Sequence, residues 1–383
     1  MKRDARNAKN RVARRKIAAE RNGHGTVVGA ATVESAKAAK SAALRYVNDG
    51  TTGIGRKKKG NKFVYVGREG KRVSDAETLA RVKSLVIPPA WTEVWICPIP
   101  NGHLQATGRD VRGRKQYRYH PRWRKVREET KYARMGLFAE TLPKIRRRVS
   151  SDMSQVGLPR TKVLAAIVRL LETTLIRVGN DEYARDNHSY GLTTMHDKHV
   201  DIHGSTMRFQ FRGKSGRYHA IDLHNRRLAK IVKRCRDLPG YDLFQYLDDA
   251  GSVQGIGSAD VNDYLREISG EDFTAKDFRT WAGTVLAALA LEEFEPFDSD
   301  AQAKQNVVRA IESVAKRLGN TPAVCRKCYI HPAVLASYMD GSMLNTLKQR
   351  ADQTAESLPK LRAEEAAVLT LLRQRLTEEA RQA

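Results

Sequence analysis

Cysteine and long apolar runs are both scarce in this chain of 383 residues. Its four cysteines are too few and too scattered for a disulfide framework, which favours a reducing compartment. The longest apolar run, Val285–Leu291, is far shorter than the roughly 20 residues of a membrane span. We therefore expect a soluble cytoplasmic protein that has no membrane partner.

Acidic residues are also in short supply, because 43 Asp and Glu stand against 69 Lys and Arg and leave a formal net charge of +26. A soluble protein with a strong positive electrostatic field would account for this charge, but a polyanion partner such as nucleic acid is the more specific explanation. The positive charge recurs along the chain, in Arg109–Lys115, Arg122–Arg127 and Lys144–Arg148. Because it is not confined to one end, we favour a nucleic-acid partner.

The first third of the chain predicts a tail followed by a small sheet. Residues 1–43 hold few large apolar side chains, so they predict a flexible basic tail with at most a transient helix over Val33–Leu44. Residues 44–128 predict a mostly antiparallel sheet with one helix, Asp75–Leu85, capped by Ser74. The strands are predicted from short β-branched and aromatic runs: Leu44–Val47, Phe63–Val66, Val94–Cys97, Leu104–Gly108 and Lys115–His120.

Residues 129–383 predict a larger, mainly α-helical domain. Apolar residues at steps of three and four predict a helix over Leu164–Val178, and alternating residues in Met207–Phe211 and Tyr218–Leu223 predict a β-hairpin. Further helices are predicted from the caps Ser258, Thr274, Asp300 and Thr321 and from the charged segment Glu364–Ala380. The predicted fold class is therefore α+β, with a small N-terminal antiparallel sheet and a larger helical domain that contains a hairpin.

Arg279 and Tyr329, fifty residues apart on two predicted helices, suggest phosphodiester chemistry in so basic a protein. A phenol has a pKa of about 10, so it needs neighbouring cations to attack a phosphate at neutral pH. Arg326, Lys327 and the helix of Arg279 could supply them. A tyrosine on a helix is more often a half-buried packing residue. Our hypothesis is that Tyr329 is the nucleophile and that Arg279 holds the phosphate.

Three further residues have side chains that suit the same chemistry. Arg177 could join Arg279 in binding phosphate oxygens through its planar guanidinium group. Lys214, at the tip of the hairpin, could act as a general acid, and Asn320 could donate a neutral hydrogen bond. Their ordinary roles would be a residue near a helix end, a polar turn and a helix cap.

The strand Lys115–Tyr119 interleaves aromatic residues with cations. Tyr117 and Tyr119 share one face of a strand and Gln116 takes the other, so Gln116 could read a base edge while the cations contact phosphates. A plain half-buried strand is the alternative. The density of positive charge favours DNA.

No cofactor is predicted from the sequence. The Gly-Lys-Ser turn at Lys214 does not complete a P-loop, because Arg208 occupies the position of the required glycine and a hairpin follows. Cys325 and Cys328 have the spacing of zinc ligands but lack a second pair. Asp300 is better explained as a helix cap than as a metal ligand. We therefore expect neither a bound metal nor a nucleotide.

The chain resembles the type IB DNA topoisomerases of the bacterial and poxvirus kind, over roughly Leu44 to Gly341. Seven motifs and the tyrosine that follows them carry the resemblance, in matching order and spacing. They are Ile87–Trp91, Gly113–Tyr119, Ile176–Gly179, Tyr190–Thr194, Phe211–Lys214, Lys276–Thr280 and Gly319–Pro322, followed by Tyr329.

The resemblance implies a two-domain clamp that closes around duplex DNA and relaxes supercoils. It implies that Tyr329 is the nucleophile, which forms a 3′-phosphotyrosyl bond and releases a 5′-hydroxyl. Arg177 and Arg279 would stabilise the pentacoordinate phosphate, and Lys214 would protonate the leaving 5′-oxygen. Asn320 stands where many family members have histidine, and it keeps the role if that histidine acts as a hydrogen-bond donor.

The resemblance also implies the wider properties of the protein. Neither ATP nor a metal ion is required in the family, and we expect a monomer in the cytoplasm, associated with the nucleoid. The residues that match DNA contacts of the family are Gln116, Tyr117, Tyr119, Tyr183 and Thr194.

Two alternatives stay open at this point. A tyrosine recombinase shares the arginine, lysine and tyrosine chemistry, but recombinases usually have histidine where this chain has Lys276, and the N-terminal sheet does not suit their helical arm-binding domain. A non-catalytic basic DNA-binding protein would need only the charge. It would not explain the order of Arg177, Lys214, Arg279 and Tyr329.

Overall fold

A computed structural model describes residues 36–60, 62–67, 70–111, 113, 115–294, 297–343 and 361–382. The chain divides into two compact units, Met1–Lys131 and Tyr132–Ala383. After a short helix over 36–41, the elements are β1 (Ile54–Lys59), β2 (Lys62–Val66), α1 (Ala76–Ser84), β3 (Thr92–Ile96), β4 (Leu104–Arg109), β5 (Lys115–Tyr119) and α2 (Pro121–Asp152). They are followed by α3 (Arg160–Thr174), α4 (Asp181–Asn187), β6 (Val200–His203), β7 (Thr206–Arg212), β8 (Tyr218–His224), α5 (Arg226–Arg236), β9 (Gln245–Leu247), β10 (Val253–Gly255), α6 (Ser258–Ser269), α7 (Ala275–Glu292), α8 (Asp300–Leu318), α9 (Pro322–Cys328), α10 (Pro332–Met339) and α11 (Ala363–Gln382).

The strands of the first unit form one antiparallel sheet in the order β2-β1-β3-β4-β5. Val82 of α1 is buried together with Ile54, Val94, Ile96 and Ala106 of the sheet. The helix therefore covers one sheet face, because apolar side chains on alternate strand positions need a partner layer. The predicted small antiparallel sheet with one helix is confirmed.

Three details of this unit differ from the sequence prediction. β1 was not predicted, because lysine and arginine dominate it and carry little strand signal. The predicted strand Leu44–Val47 is wrong: among the described residues it forms an isolated bridge between Arg45 and Gly102. The cap of α1 is Asp75 rather than Ser74, since the Asp75 carboxylate accepts a first-turn backbone N–H at 2.7 Å.

Most of the predicted tail, residues 1–35, lies outside the described residues. Its last part, over 36–41, is a short helix. Ala39 is buried there with Leu44 and Trp123. The transient helix predicted over Val33–Leu44 is therefore described only in part.

The second unit is mainly helical, as predicted, and has one large core. α3 is apolar on nearly all sides and packs against α5, α6 and α7. The predicted hairpin is formed by β7 and β8, in which Phe211 lies opposite His219. A third strand, β6, was not predicted and extends this sheet in the order β6-β7-β8.

The end of α3 differs from the prediction in a way that matters for the site. The helix stops at Thr174, four residues before the predicted end at Val178, because Leu175 adopts a left-handed backbone with φ 58°. Arg177 therefore lies in the loop after α3 and not on a helix. Asn180 was predicted to stop α3, but it caps α4.

The ends of three other helices also differ from the sequence prediction. α8 is capped by Ser299, whose hydroxyl accepts a first-turn N–H, so Asp300 is the first helical residue. Gly257 precedes α6, and Ser258 is likewise its first residue. Tyr329 was placed on a helix by the sequence, but it is the residue that closes α9. The predicted helix starts at Thr274 and Thr321 are confirmed.

Candidate active site

Arg279 is buried near the start of α7, with only 4% of its surface exposed. Its Nη1 donates to the Leu175 carbonyl, and its Nη2 donates to the Leu318 carbonyl at 2.8 Å. The guanidinium carbon lies 5.2 Å from the ring centre of Tyr329. Burial first, and then the charge of Arg177, lower the pKa of Arg279. An anion bound beside the two arginines would relieve this destabilisation of the charged form.

The backbone of Tyr329 is held against α7 at two small residues, Thr284 and Gly283. Thr284 Oγ1 accepts the His331 N–H at 3.0 Å, and its one hydroxyl proton is shared between the Thr280 carbonyl at 3.0 Å and the Tyr329 carbonyl at 3.3 Å. A Cβ atom at Gly283 would lie 2.6 Å from the Tyr329 carbonyl oxygen, so only glycine lets the helix approach this closely. α7 thus carries both Arg279 and the support of Tyr329.

Arg177 and Asn320 contact each other from two different segments. Arg177 Nη2 donates to Asn320 Oδ1. Because a guanidinium only donates, the amide oxygen faces Arg177 and the amide nitrogen faces away. Gly319 ends α8 in a left-handed conformation with φ 61°, and Asn320 follows with 9% of its surface exposed. The amide nitrogen remains available as a donor.

Two buried donors in this region, Arg279 Nε and Asn320 Nδ2, have no hydrogen-bond partner among the described residues. A buried donor without a partner costs roughly 1–3 kcal/mol. A small cavity is lined by Arg177, Arg279, Arg317 and His219, and none of its lining residues is acidic. Arg177 and Arg279 line this cavity, so it suits an anionic oxygen that would neutralise their positive charge.

Lys214 lies at the turn between β7 and β8. The turn needs left-handed backbone at Ser215 (φ 65°) and Gly216 (φ 74°), and Gly213 N–H donates to the Arg217 carbonyl at 2.7 Å. The Lys214 side chain is exposed, while Gly213 lines the cavity. The hairpin therefore brings Lys214 to the edge of the cavity and does not bury it there.

Two neighbours of the site were not identified from the sequence. Arg217 Nη1 donates to the Asn320 carbonyl at 2.8 Å. The His219 ring lines the cavity and stacks on Phe211 with 5.0 Å between ring centres. Burial first, and then three neighbouring arginines, lower the pKa of His219. In the sequence, both residues look like ordinary members of a polar turn and an alternating strand.

The five predicted DNA-contact residues lie in both units. In the first unit, Tyr117 and Tyr119 share a strand face with their rings 6.0 Å apart and nearly parallel, and Tyr117 is exposed. Gln116 directly precedes Tyr117 and lies on the other face of the strand. In the second unit Tyr183 is half-buried on α4, whereas Thr194 is buried and its hydroxyl bonds the backbone of a nearby glycine. Their contacts with DNA stay predictions.

Comparison with known proteins identifies the family. A profile described as the catalytic core of eukaryotic DNA topoisomerase I matches residues 120–358, which is more than half of the chain. The DNA topoisomerase 1B of Acanthamoeba polyphaga mimivirus is 32% identical over 295 residues, which cover 75% of this chain and 88% of that protein. The chain belongs to the type IB DNA topoisomerase family.

Further matches agree with this type IB topoisomerase assignment. The N-terminal domain profile of bacterial DNA topoisomerase IB matches residues 62–110. DNA topoisomerase 1B of vaccinia virus (strain Copenhagen) is 22% identical, and DNA topoisomerase 1 of rabbit fibroma virus (strain Kasza) is 25% identical. Each alignment covers 63% of this chain and 74% of the relative. The resemblance seen in the motifs is confirmed, and the chain is an enzyme of the isomerase class.

This topoisomerase assignment leaves the role of each site residue as a prediction. Arg177, Asn320, Arg279 and Tyr329 are brought together, and Lys214 lies at the edge. None of the helices in the described ranges is long and apolar enough to cross a membrane. Within the same ranges, no group of three or more His, Cys, Asp and Glu side chains could hold a metal ion.

Proposed function

We propose that this topoisomerase relaxes supercoiled duplex DNA through reversible attack of Tyr329 on a backbone phosphate. The phenolic oxygen bonds to phosphorus and the bond to the 5′-oxygen breaks, which gives a 3′-phosphotyrosyl intermediate and a free 5′-hydroxyl end. The cut strand turns about the intact strand, and the 5′-hydroxyl then reverses the attack. The phosphodiester energy is kept in the tyrosyl ester, so the cycle needs no ATP.

The observation that carries this proposal is the buried Arg279 guanidinium 5.2 Å from the Tyr329 ring. Its own Nε and the Asn320 Nδ2 have no partner in the described residues. A phosphate in attack gathers negative charge on its non-bridging oxygens. Preorganised donors in a water-poor site stabilise such charge strongly. Arg177, Arg279 and Asn320 Nδ2 would fill this role, and a bound metal ion is then not needed.

Lys214 is proposed as the general acid. Its ammonium group would give a proton to the departing 5′-oxygen, while the phenol loses its own proton to solvent. The exposed position of Lys214 on a hairpin turn suits a group that must reach the DNA strand from outside the cavity. The same residue would take the proton back when the 5′-hydroxyl attacks.

We extend the proposal to the whole chain as a clamp. Residues 44–128 and 129–383 would act as the DNA-binding and catalytic domains that close around one duplex, and the tail 1–43 would add phosphate contacts. The net charge of +26 supports binding to the DNA backbone. The proposed base and backbone contacts are Gln116, Tyr117, Tyr119, Tyr183 and Thr194. We expect a single copy to act, associated with the nucleoid.

The deciding test is relaxation of supercoiled plasmid in EDTA without ATP. We expect the wild-type protein to relax the plasmid and the Tyr329→Phe variant to leave it supercoiled. Tyr241→Phe is a matched control, because the Tyr241 side chain is 85% exposed in the same unit and should not matter. Inactive wild-type protein would reject the proposed activity, and relaxation by Tyr329→Phe would reject the assigned nucleophile.

A further inference from the structure

The ring of His219 is packed between two glycines, and each glycine precedes a predicted catalytic residue. A Cβ atom at Gly213 would lie 2.7 Å from two ring atoms of His219, and one at Gly319 would lie closer still to the ring. The ring therefore touches the backbone on both sides. Gly213 is followed by Lys214, and Gly319 is followed by Asn320.

The orientation of the ring is fixed by its own sheet. His219 lies opposite Phe211 in the β7–β8 ladder, and the two rings stack with an angle of 16° between their planes. A second link runs beside it, from Arg217 Nη1 to the Asn320 carbonyl at 2.8 Å. The tip of the hairpin is thus joined to the turn between α8 and α9 at two points.

We propose that His219 is a positioning residue, which holds the turn of Lys214 in place against the turn of Asn320. This inference rests on the proposed function, in which Lys214 protonates the leaving oxygen. An exposed lysine on a hairpin turn has many conformations, and the contact between the His219 ring and Gly213 reduces that conformational freedom. His219 acts through the position of Lys214 and does not itself transfer a proton.

The electrostatic surroundings of His219 agree with a steric role. Burial lowers its pKa, and the charges of Arg177, Arg279 and Arg217 lower the pKa further. The ring is therefore neutral at neutral pH, and it packs beside three cations without repelling them. A planar ring that carries no charge should serve equally well, which makes His219→Phe the conservative variant.

The test compares two leaving groups in single-turnover cleavage of a DNA oligonucleotide. One substrate has the natural 5′-oxygen, and the other has sulfur at that bridging position. A thiol has a pKa of about 8.5, so a thiolate leaves without a proton. We expect His219→Ala to slow cleavage at oxygen by on the order of 10- to 100-fold and to have little effect at sulfur. His219→Phe should remain close to wild type on both substrates.

Lys214→Ala is the reference that separates the inference from the proposed function. If sulfur fails to rescue Lys214→Ala, the general-acid role is wrong and the inference falls with it. If sulfur rescues Lys214→Ala but not His219→Ala, the inference alone is wrong. An equal loss in His219→Phe and His219→Ala would also overturn it, because the ring would then not act by packing.

A second pair of variants tests the contact itself. Gly213 has φ −92°, so Gly213→Ala introduces no backbone strain and its methyl group meets chiefly the His219 ring. We expect Gly213→Ala to slow cleavage at oxygen. In the double variant with His219→Ala, the methyl group enters the space left by the ring. The fold-reduction in cleavage rate of the double variant should therefore be smaller than the product of the two single-variant reductions. Losses that multiply would show that the two residues act independently and would overturn the contact argument.

Discussion

Replacing Gly283 with alanine should uncouple stability from activity in this topoisomerase. The new Cβ atom would lie 2.6 Å from the Tyr329 carbonyl oxygen and 3.0 Å from the Tyr329 Cβ atom, whereas ordinary contact begins at 3.4 Å. Tyr329, the proposed nucleophile, must therefore shift by up to about 0.8 Å away from α7, and a misplacement near 1 Å can cost on the order of 100-fold in rate. We expect a 10- to 100-fold loss in single-turnover cleavage, an order-of-magnitude figure from the same rule.

The matched control is Gly136→Ala in α2. A Cβ atom at Gly136 would meet only a Leu369 methyl group at 3.8 Å, which is ordinary contact. Alanine in a helix interior is favoured over glycine by about 1 kcal/mol, so Gly136→Ala should raise the free energy of unfolding and leave cleavage unchanged. In Gly283→Ala the clash with Tyr329 opposes the same gain in the free energy of unfolding.

The assay is single-turnover formation of the covalent DNA adduct, measured beside chemical unfolding of both variants. The reasoning is refuted if folded Gly283→Ala forms the adduct at the wild-type rate. That result would mean that Tyr329 does not depend on its contact with α7 for its position.

Two further predictions concern a donor and a buried histidine. Asn320→Asp keeps the acceptor that faces Arg177 but replaces the Nδ2 donor, so adduct formation should fall by on the order of 10²–10³-fold; an unchanged rate would contradict the donor role. Burial first, and then His196 and Lys198, lower the pKa of His199 to about 4. Between about pH 6.5 and pH 4, His199 takes up a proton in the unfolded chain but not in the folded one. The free energy of unfolding is therefore unaffected above about pH 6.5 and falls by up to about 3 kcal/mol as the pH falls towards 4. His199→Asn should therefore make the free energy of unfolding depend less on pH in that window, and parallel curves in denaturant titrations would contradict this.

The sequence predicted the fold class well, because its strand alternation, helix period and caps agree with one another. The prediction is wrong where the backbone takes a conformation that is not expected from the residue type. Leu175 is left-handed although it is not glycine, so the helix was extended past Arg177 and that residue was placed on the wrong element. β1 was missed because cross-strand pairing, and not intrinsic propensity, makes a strand of its lysines.

The candidate site shows the same limit. Arg279, Tyr329, Arg177 and Asn320 are candidates from the sequence because their side chains have a recognisable chemistry in a fixed order, and the structure brings the four together. His219 is not among these candidates, because its proposed role comes from what it touches across the hairpin, and spacing along the chain does not show such contacts. Gly283 did leave a signal, since glycine inside an apolar helix indicates close approach of another segment.

Tyr329 stands at a junction between α9 and α10, and this has a mechanical consequence for the covalent intermediate. In the proposed intermediate, the DNA would pull on the protein through a single ester oxygen of Tyr329 while the cut strand turns. The Tyr329 backbone contacts the hydroxyl of Thr284, a residue with no exposed surface, which belongs to the buried helix α7. The proposed attachment point would then transmit the drag of a turning duplex to α7 and not to a helix of its own.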